Sequence, residues 1–181
     1  MIKLKNILNE ISEEEADRLL SKIKNKEITF LDKGDNGKVY SINGEDLLLK
    51  ITTEPEETAV ADVIVGRPNE FDAFIPVYYS DSQKNMYIMN RASKLTNNLK
   101  SELDQYYNDY KEYARSQGLE TSIFNFLNTE ASRNYSPTII TFLRALEQQV
   151  KKTGIGDLEL SLDFRPENIM LWNGSLVMID W

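Results

Sequence analysis

Apolar and polar positions along the first 26 residues recur at helical spacing. Ile7, Leu8 and Ile11 share one face. Ser12-Glu13-Glu14-Glu15 is a capping signal for a second helix, along which Ala16, Leu19, Leu20 and Ile23 form an apolar stripe. The pattern predicts a pair of packing helices. From Glu27 the period changes to that of strands. Ile28–Leu31 leads into a turn-rich stretch, Asp32–Gly37. Lys38–Ile42 follows, then Asn43-Gly44 as a two-residue hairpin signal, then Asp46–Thr52. This predicts a three-stranded antiparallel meander. A helix is expected to open at Thr53 as its cap, with Pro55 in the first turn and Glu54, Glu56 and Glu57 at its positive end, and to run to about Gly66. Phe74–Ser80 and Lys84–Asn90 read as a further strand pair.

Between Leu99 and Thr153 the pattern is helical and aromatic. Tyr106, Tyr107, Tyr110 and Tyr113 recur at three- and four-residue spacing, which predicts core packing rather than a base-stacking platform. Ser136-Pro137 starts another helix, with Ile139, Ile140, Phe142, Leu143 and Leu146 on its apolar face, and Gly154-Ile155-Gly156 ends it. Two short apolar runs, Ile169–Leu171 and Leu176–Ile179, flank a turn at Trp172–Ser175 and predict a hairpin. The expected fold class is α+β. Its expected parts are an N-terminal helical extension over residues 1–26, a sheet with one helix over 27–92, and a mainly helical part over 93–181 that carries the hairpin.

Composition narrows the chemistry. The 181 residues include no cysteine and no histidine. That rules out disulfides, thiolate nucleophiles, zinc–thiolate sites and Ser-His-Asp triads. Carboxylate, lysine, arginine, tyrosine and hydroxyl chemistry remain, with hard cations such as magnesium. The formal charge of -8, from 29 acidic and 21 basic residues, disfavours nucleic acid as a partner. No apolar run approaches the roughly 18 residues of a membrane span, and no signal-peptide core is evident, so no membrane association is expected and the expected compartment is cytoplasmic.

The residues that carry chemistry fall in three places. Near the end, Leu160-Ser161-Leu162-Asp163-Phe164-Arg165-Pro166-Glu167-Asn168 precedes the hairpin, and Val177-Met178-Ile179-Asp180-Trp181 completes it. A short hairpin brings Asn168 and Asp180 to the same end. One carboxylate orienting a hydroxyl, with an amide oxygen and a second carboxylate holding magnesium, suits phosphoryl transfer from a nucleotide. Upstream, Leu31-Asp32-Lys33-Gly34-Asp35-Asn36-Gly37-Lys38-Val39-Tyr40 places two glycines between strands, where a turn needing positive φ explains them as well as a ligand does. Lys50 ends the apolar run Leu47-Leu48-Leu49.

In order and spacing, this set resembles the protein-kinase-like superfamily, of the eukaryotic-like protein kinase and aminoglycoside phosphotransferase type, over about residues 28–181. The family's H-R-D-x-K-P-x-N, a hairpin and D-F-G correspond to S-L-D-F-R-P-E-N, the hairpin and I-D-W. The I-D-W ending is nearer the aminoglycoside phosphotransferase pattern. The resemblance implies a two-lobed fold with a five-stranded antiparallel sheet in the N-lobe, a reduced helical C-lobe and the hairpin at their junction. It implies ATP and Mg2+ as cofactors. Gly34, Gly37 and Val39 would line the nucleotide loop. Lys50 would pair with phosphates and with an acid on the next helix, Glu57 or Glu56. Asp163 would position the acceptor hydroxyl. Arg165 would keep positive charge near the transferred phosphate. Asn168 and Asp180 would hold the metal.

The implied activity is transfer of the γ-phosphoryl group to a hydroxyl of a protein or small molecule. The alternatives are a catalytically weak, pseudokinase-like module that binds and regulates a partner protein, and a kinase-fold enzyme that transfers another group, such as adenylyl. Asp32 stands at the family's first glycine and bears on that choice, while Ser161-Leu162 stand at its His-Arg, so that activation through an activation-loop phosphate is not expected. The family normally continues beyond the metal-binding Asp, whereas this sequence ends at Trp181. Relative to the family the expectation is a chain truncated after that Asp: either a whole protein to which a partner protein or self-association supplies the substrate lobe, or a piece from which that lobe was cut.

Overall fold

The computed structural model describes residues 13–34, 36–117, 122–154 and 162–181. The helical pattern of Ile7, Leu8 and Ile11, the Ser12 cap, Asp35 of the glycine turn, Ile155, Gly156 and Ser161 lie outside the described residues. The chain divides into two compact units. One comprises the chain up to Phe71 together with Ile75–Arg91; the other comprises Asp72–Phe74 and Ala92–Trp181.

The first unit holds α1 (Glu13–Lys24), β1 (Ile28–Lys33), β2 (Gly37–Ile42), β3 (Leu47–Thr52), α2 (Pro55–Ile64), β4 (Val77–Asp81) and β5 (Met86–Asn90). The strands form one antiparallel sheet in the order β1-β2-β3-β5-β4. Strand alternation separates its two faces. Ile42, Leu49, Met86 and Ile88 point to one face and form a core with Leu19 of α1, which accounts for the helix's apolar stripe. Arg18 and Lys22 clamp α1 to Glu45 in the β2–β3 connection, and Lys22 Nζ also donates to the Asn43 carbonyl (2.9 Å). Gly44 takes φ +79° in that turn, a conformation a side chain would disfavour.

Two sequence expectations shift here. The strand expected from Phe74 begins only at Val77: Pro76 has no N–H to give to a ladder, and Phe74 bridges to the hairpin of the second unit instead. Thr53 does not cap α2, whose N-cap position is Glu54. The Thr53 hydroxyl donates to the Asn36 carbonyl (3.2 Å), while the Thr52 hydroxyl accepts from the Glu54 N–H (3.0 Å).

The second unit contains α3 (Asn97–Gln117), α4 (Ile123–Leu127), a 3-10 turn at Ala131–Asn134, α5 (Pro137–Thr153) and the antiparallel hairpin β6 (Ile169–Trp172) and β7 (Ser175–Met178). Its core gathers Leu103, Tyr106, Phe124, Leu127, Ile139, Leu143 and Leu146, all essentially buried. Tyr106 meets Phe126, Tyr135 and Phe164 edge to face and packs in the core as its spacing predicts, whereas Tyr107, Tyr110 and Tyr113 of the same stripe are only half-buried. Gly154 ends α5 at φ +67°. No helix among the described residues is long and apolar enough to cross a membrane.

Candidate functional site

The candidate residues form two constellations, one in each unit. In the first, Lys50 lies on the sheet face opposite Leu49, because neighbours on a strand alternate. Helix α2 buries Glu57, Val60, Ala61 and Ile64 on one face, a spacing set by its 3.6-residue period. Lys50 Nζ and Glu57 Oε2 are 2.8 Å apart, with side chains only 6% and 3% exposed. Glu56, one position round the helix, is exposed, so the two acids left open by the sequence are now distinguished. Tyr87 is paired with Lys50 across β3 and β5. Its hydroxyl donates to Glu57 Oε2 (3.4 Å), and its ring centre is 6.0 Å from the ammonium. Burying two charges costs several kcal/mol each, and well-packed apolar residues serve stability as well or better. Packing alone therefore does not account for this pair.

Val39, also in the first unit, is the partner of Lys50 on β2 and is half-buried. The two glycines of the neighbouring loop have different causes. Neither has positive φ, so a left-handed turn explains neither. A Cβ on Gly37 would lie 2.5 Å from the Ile51 carbonyl oxygen of β3, so close strand approach requires glycine there. A Cβ on Gly34 would meet nothing within 4 Å, so the fold places no demand on that position. Asp32 accepts from the Lys33 N–H through Oδ1 (2.8 Å).

In the second constellation, Pro166 holds Arg165 extended (φ -129°, ψ 145°). Pro166–Asn168 then forms a 3-10 turn that runs straight into β6, closed by the Asn168 N–H bond to the Arg165 carbonyl (2.9 Å). Phe164 is buried against Tyr106 and Tyr107 and anchors the loop in the helical core. Between these anchors Asp163 stays partly open, 42% exposed. Its Oδ2 accepts from Arg165 Nε (3.0 Å), from Arg165 Nη2 and from Asn168 Nδ2 (3.0 Å). The Arg165 guanidinium is held above its ordinary pKa, first by the hydrogen bond it donates to Asp163 and then by the charges of Asp163, Glu167 and Asp180, against some desolvation.

Asn168 is buried. Its Nδ2 donates both to Asp163 Oδ2 and to the Asp163 carbonyl (2.9 Å). Both partners are acceptors, so the amide nitrogen must face them, and this fixes which way the amide oxygen is turned. The hairpin ladder continues through the Ile179 N–H bond to the Asn168 carbonyl (2.9 Å), which brings Asp180 to the end of the hairpin where Asn168 stands. An amide oxygen and a carboxylate are hard oxygen donors of the kind magnesium prefers, and magnesium sites often use one or two protein ligands beside substrate phosphates. Among the described residues no cluster of three or more His, Cys, Asp or Glu could hold a metal without such help.

A groove of about 460 Å³ lies elsewhere in the second unit, between α5 and the β6–β7 turn; it is lined by Asp72, Thr138, Thr141, Trp172 and Asn173 among others and includes none of the candidate residues. Sequence reasoning missed Tyr87, Phe164 as an anchor, and the Phe74–Gln149 region that braces the hairpin. Strand pairing could have pointed to Tyr87. Nothing in local pattern marks the others.

No protein-family model matches the chain, and no curated protein matches it. Among solved structures, the chain is similar to that of a streptomycin–ATP–APH(2")-IIa ternary complex, with 15% sequence identity and a TM-score of 0.38 over 94% of this chain and 70% of that one.

Proposed function

We propose that this chain is an ATP- and magnesium-dependent phosphotransferase of the protein-kinase-like superfamily, acting in the cytoplasm on a hydroxyl of a protein or small molecule. The observation that carries the reading is the Asp163–Asn168 pair. One carboxylate oxygen is tied by Arg165 and Asn168. Among the described residues, these hydrogen bonds and the ion pair all fall on Oδ2 and none on Oδ1. A carboxylate held on one side and open on the other is suited to accept a hydrogen bond from an acceptor hydroxyl and aim its oxygen.

In this reading Asp163 Oδ1 orients the acceptor O–H. The hydroxyl oxygen forms the new P–O bond, the bond from the γ-phosphorus to the bridging oxygen breaks, and ADP leaves. Asp163 receives the hydroxyl proton. Arg165 offers positive charge to the transferred group, and Lys50, aligned by Glu57, binds the nucleotide's phosphates. Asn168 Oδ1 and the Asp180 carboxylate would hold magnesium, whose charge neutralises the polyphosphate. Gly34, for which the fold makes no demand, leaves backbone open to close approach by a phosphate.

Radiolabel transfer from γ-labelled against α-labelled ATP, with and without magnesium, tests the reading. The acceptors are the protein itself and a set of hydroxyl-bearing peptides and polyols. Magnesium-dependent transfer of the γ label alone, with ADP released, is the expected result. Transfer of the α label would replace it with adenylyl transfer. Nucleotide binding without any transfer would favour the partner-binding module, a reading supported by the Asp32 carboxylate at the mouth of the glycine loop.

A further inference from the structure

We infer that Phe74 is a positioning residue for the metal-binding carboxylate, seating Trp181 so that Asp180 is held between two fixed points. The inference rests on the assignment of Asp180 as a magnesium ligand. On one side of Asp180 the chain is pinned by the Ile179 N–H bond to the Asn168 carbonyl (2.9 Å). On the other, Trp181 is buried, and its ring meets Phe74 edge to face at 5.5 Å and 80°. A metal ligand must be held to within a fraction of an ångström, and the residues around it supply that constraint.

Phe74 is itself firmly placed. It is 1% exposed. It pairs with Met178 as an isolated parallel bridge, reinforced by the Met178 N–H bond to the Ala73 carbonyl (2.8 Å). From the other side the buried Gln149 of α5 accepts from the Ala73 N–H through Oε1 (2.9 Å) and donates through Nε2 to Asp72. Residues 72–74 thus run beside β7 through a single bridge and one backbone hydrogen bond, braced by Gln149 of α5, and the Phe74 ring supports Trp181. A segment that merely filled space would not need both amide groups of a buried glutamine.

The test compares wild type, Phe74→Ala, Phe74→Leu, Trp181→Ala, Phe74→Ala/Trp181→Ala and Asp180→Asn. Calorimetry reads the magnesium concentration that half-saturates ATP binding, and separately the affinity for ATP in EDTA. Phe74→Ala is expected to raise the magnesium requirement by about tenfold and to leave metal-free binding unchanged. Phe74→Leu should restore most of it. The double variant should be no worse than either single one, because both remove one contact. If Phe74→Ala does not fold, Phe74→Leu carries the comparison, with a smaller rise expected. An unchanged requirement in the folded Phe74 variants, with Asp180→Asn strongly impaired, overturns this inference alone. A wild-type requirement in Asp180→Asn overturns the metal assignment and this inference with it. Loss of metal-free binding in step with metal-dependent binding would also overturn it, since that marks a general structural defect.

Discussion

Lys50 and Glu57 form a buried ion pair, 2.8 Å apart and screened from solvent on both sides. Removing one partner leaves the other charge buried and unpaired, which typically costs about 3–5 kcal/mol, whereas replacing both with apolar groups is often neutral or better. Chemical denaturation of Lys50→Met, Glu57→Leu and the double variant should therefore show two strongly destabilised single variants and a double variant near wild-type stability. The double variant should nonetheless lose ATP binding. Additive losses in stability would show that the pair acts in packing rather than as coupled charges.

Asp163 and Asp180 should separate by their kinetics. Asp163→Asn keeps the size of the side chain but removes the acceptor of the hydroxyl proton. Turnover should fall by roughly two to four orders of magnitude, with calorimetric ATP affinity nearly intact. Asp180→Asn should raise the half-saturating magnesium concentration by at least about tenfold. Undiminished activity in both would show the site to be wrongly assigned.

The two loop glycines should respond in opposite ways. In Gly37→Ala the new methyl meets the Ile51 carbonyl, and overpacking of this kind costs about 1–3 kcal/mol. Gly34→Ala has open space and no positive φ to oppose it. Its stability should be unchanged or raised by about 0.4–1 kcal/mol through the unfolded chain, while ATP affinity drops. Thermal melts and nucleotide titrations on the same two proteins decide this. Unchanged ATP affinity in Gly34→Ala would remove the loop from the nucleotide site.

Acid should loosen α1 from the sheet. Hydrogen bonds from Arg18, then Lys22, lower the Glu45 pKa from an ordinary 4.5 to about 2. Because the folded value is depressed, the clamp contributes its full stability above about pH 4.5 and loses it as pH falls towards 2. The stability difference between wild type and Glu45→Gln, followed by urea denaturation across this range, should be constant above that window and shrink through it. A difference independent of pH would mean that Glu45 contributes nothing through its charge.

Much of the architecture follows from short-range rules written in the chain. Alternation through Leu47–Thr52, the helical stripe of Leu19, Leu20 and Ile23, and the turn residues Asn43-Gly44 and Asn173-Gly174 specify elements over a few residues, because strand and helix periods act locally. The same holds for the Asp163–Asn168 spacing. Its loop is closed by neighbours within five residues, and a two-residue hairpin turn carries the next carboxylate back to Asn168.

Tertiary structure alone decided which of two adjacent acids meets Lys50, since that depends on the phase of α2 against a sheet whose strands are far off in sequence. It also decided why Gly37 is a glycine, a question answered by β3 rather than by the loop. And it removed Phe74 from the strand its pattern suggested. The bracing Ala73–Gln149 bond joins residues 76 positions apart, and Phe74 packs against a tryptophan from the far end of the sequence. No local period encodes such encounters. They arise when packing brings distant segments together and every buried amide must find a partner.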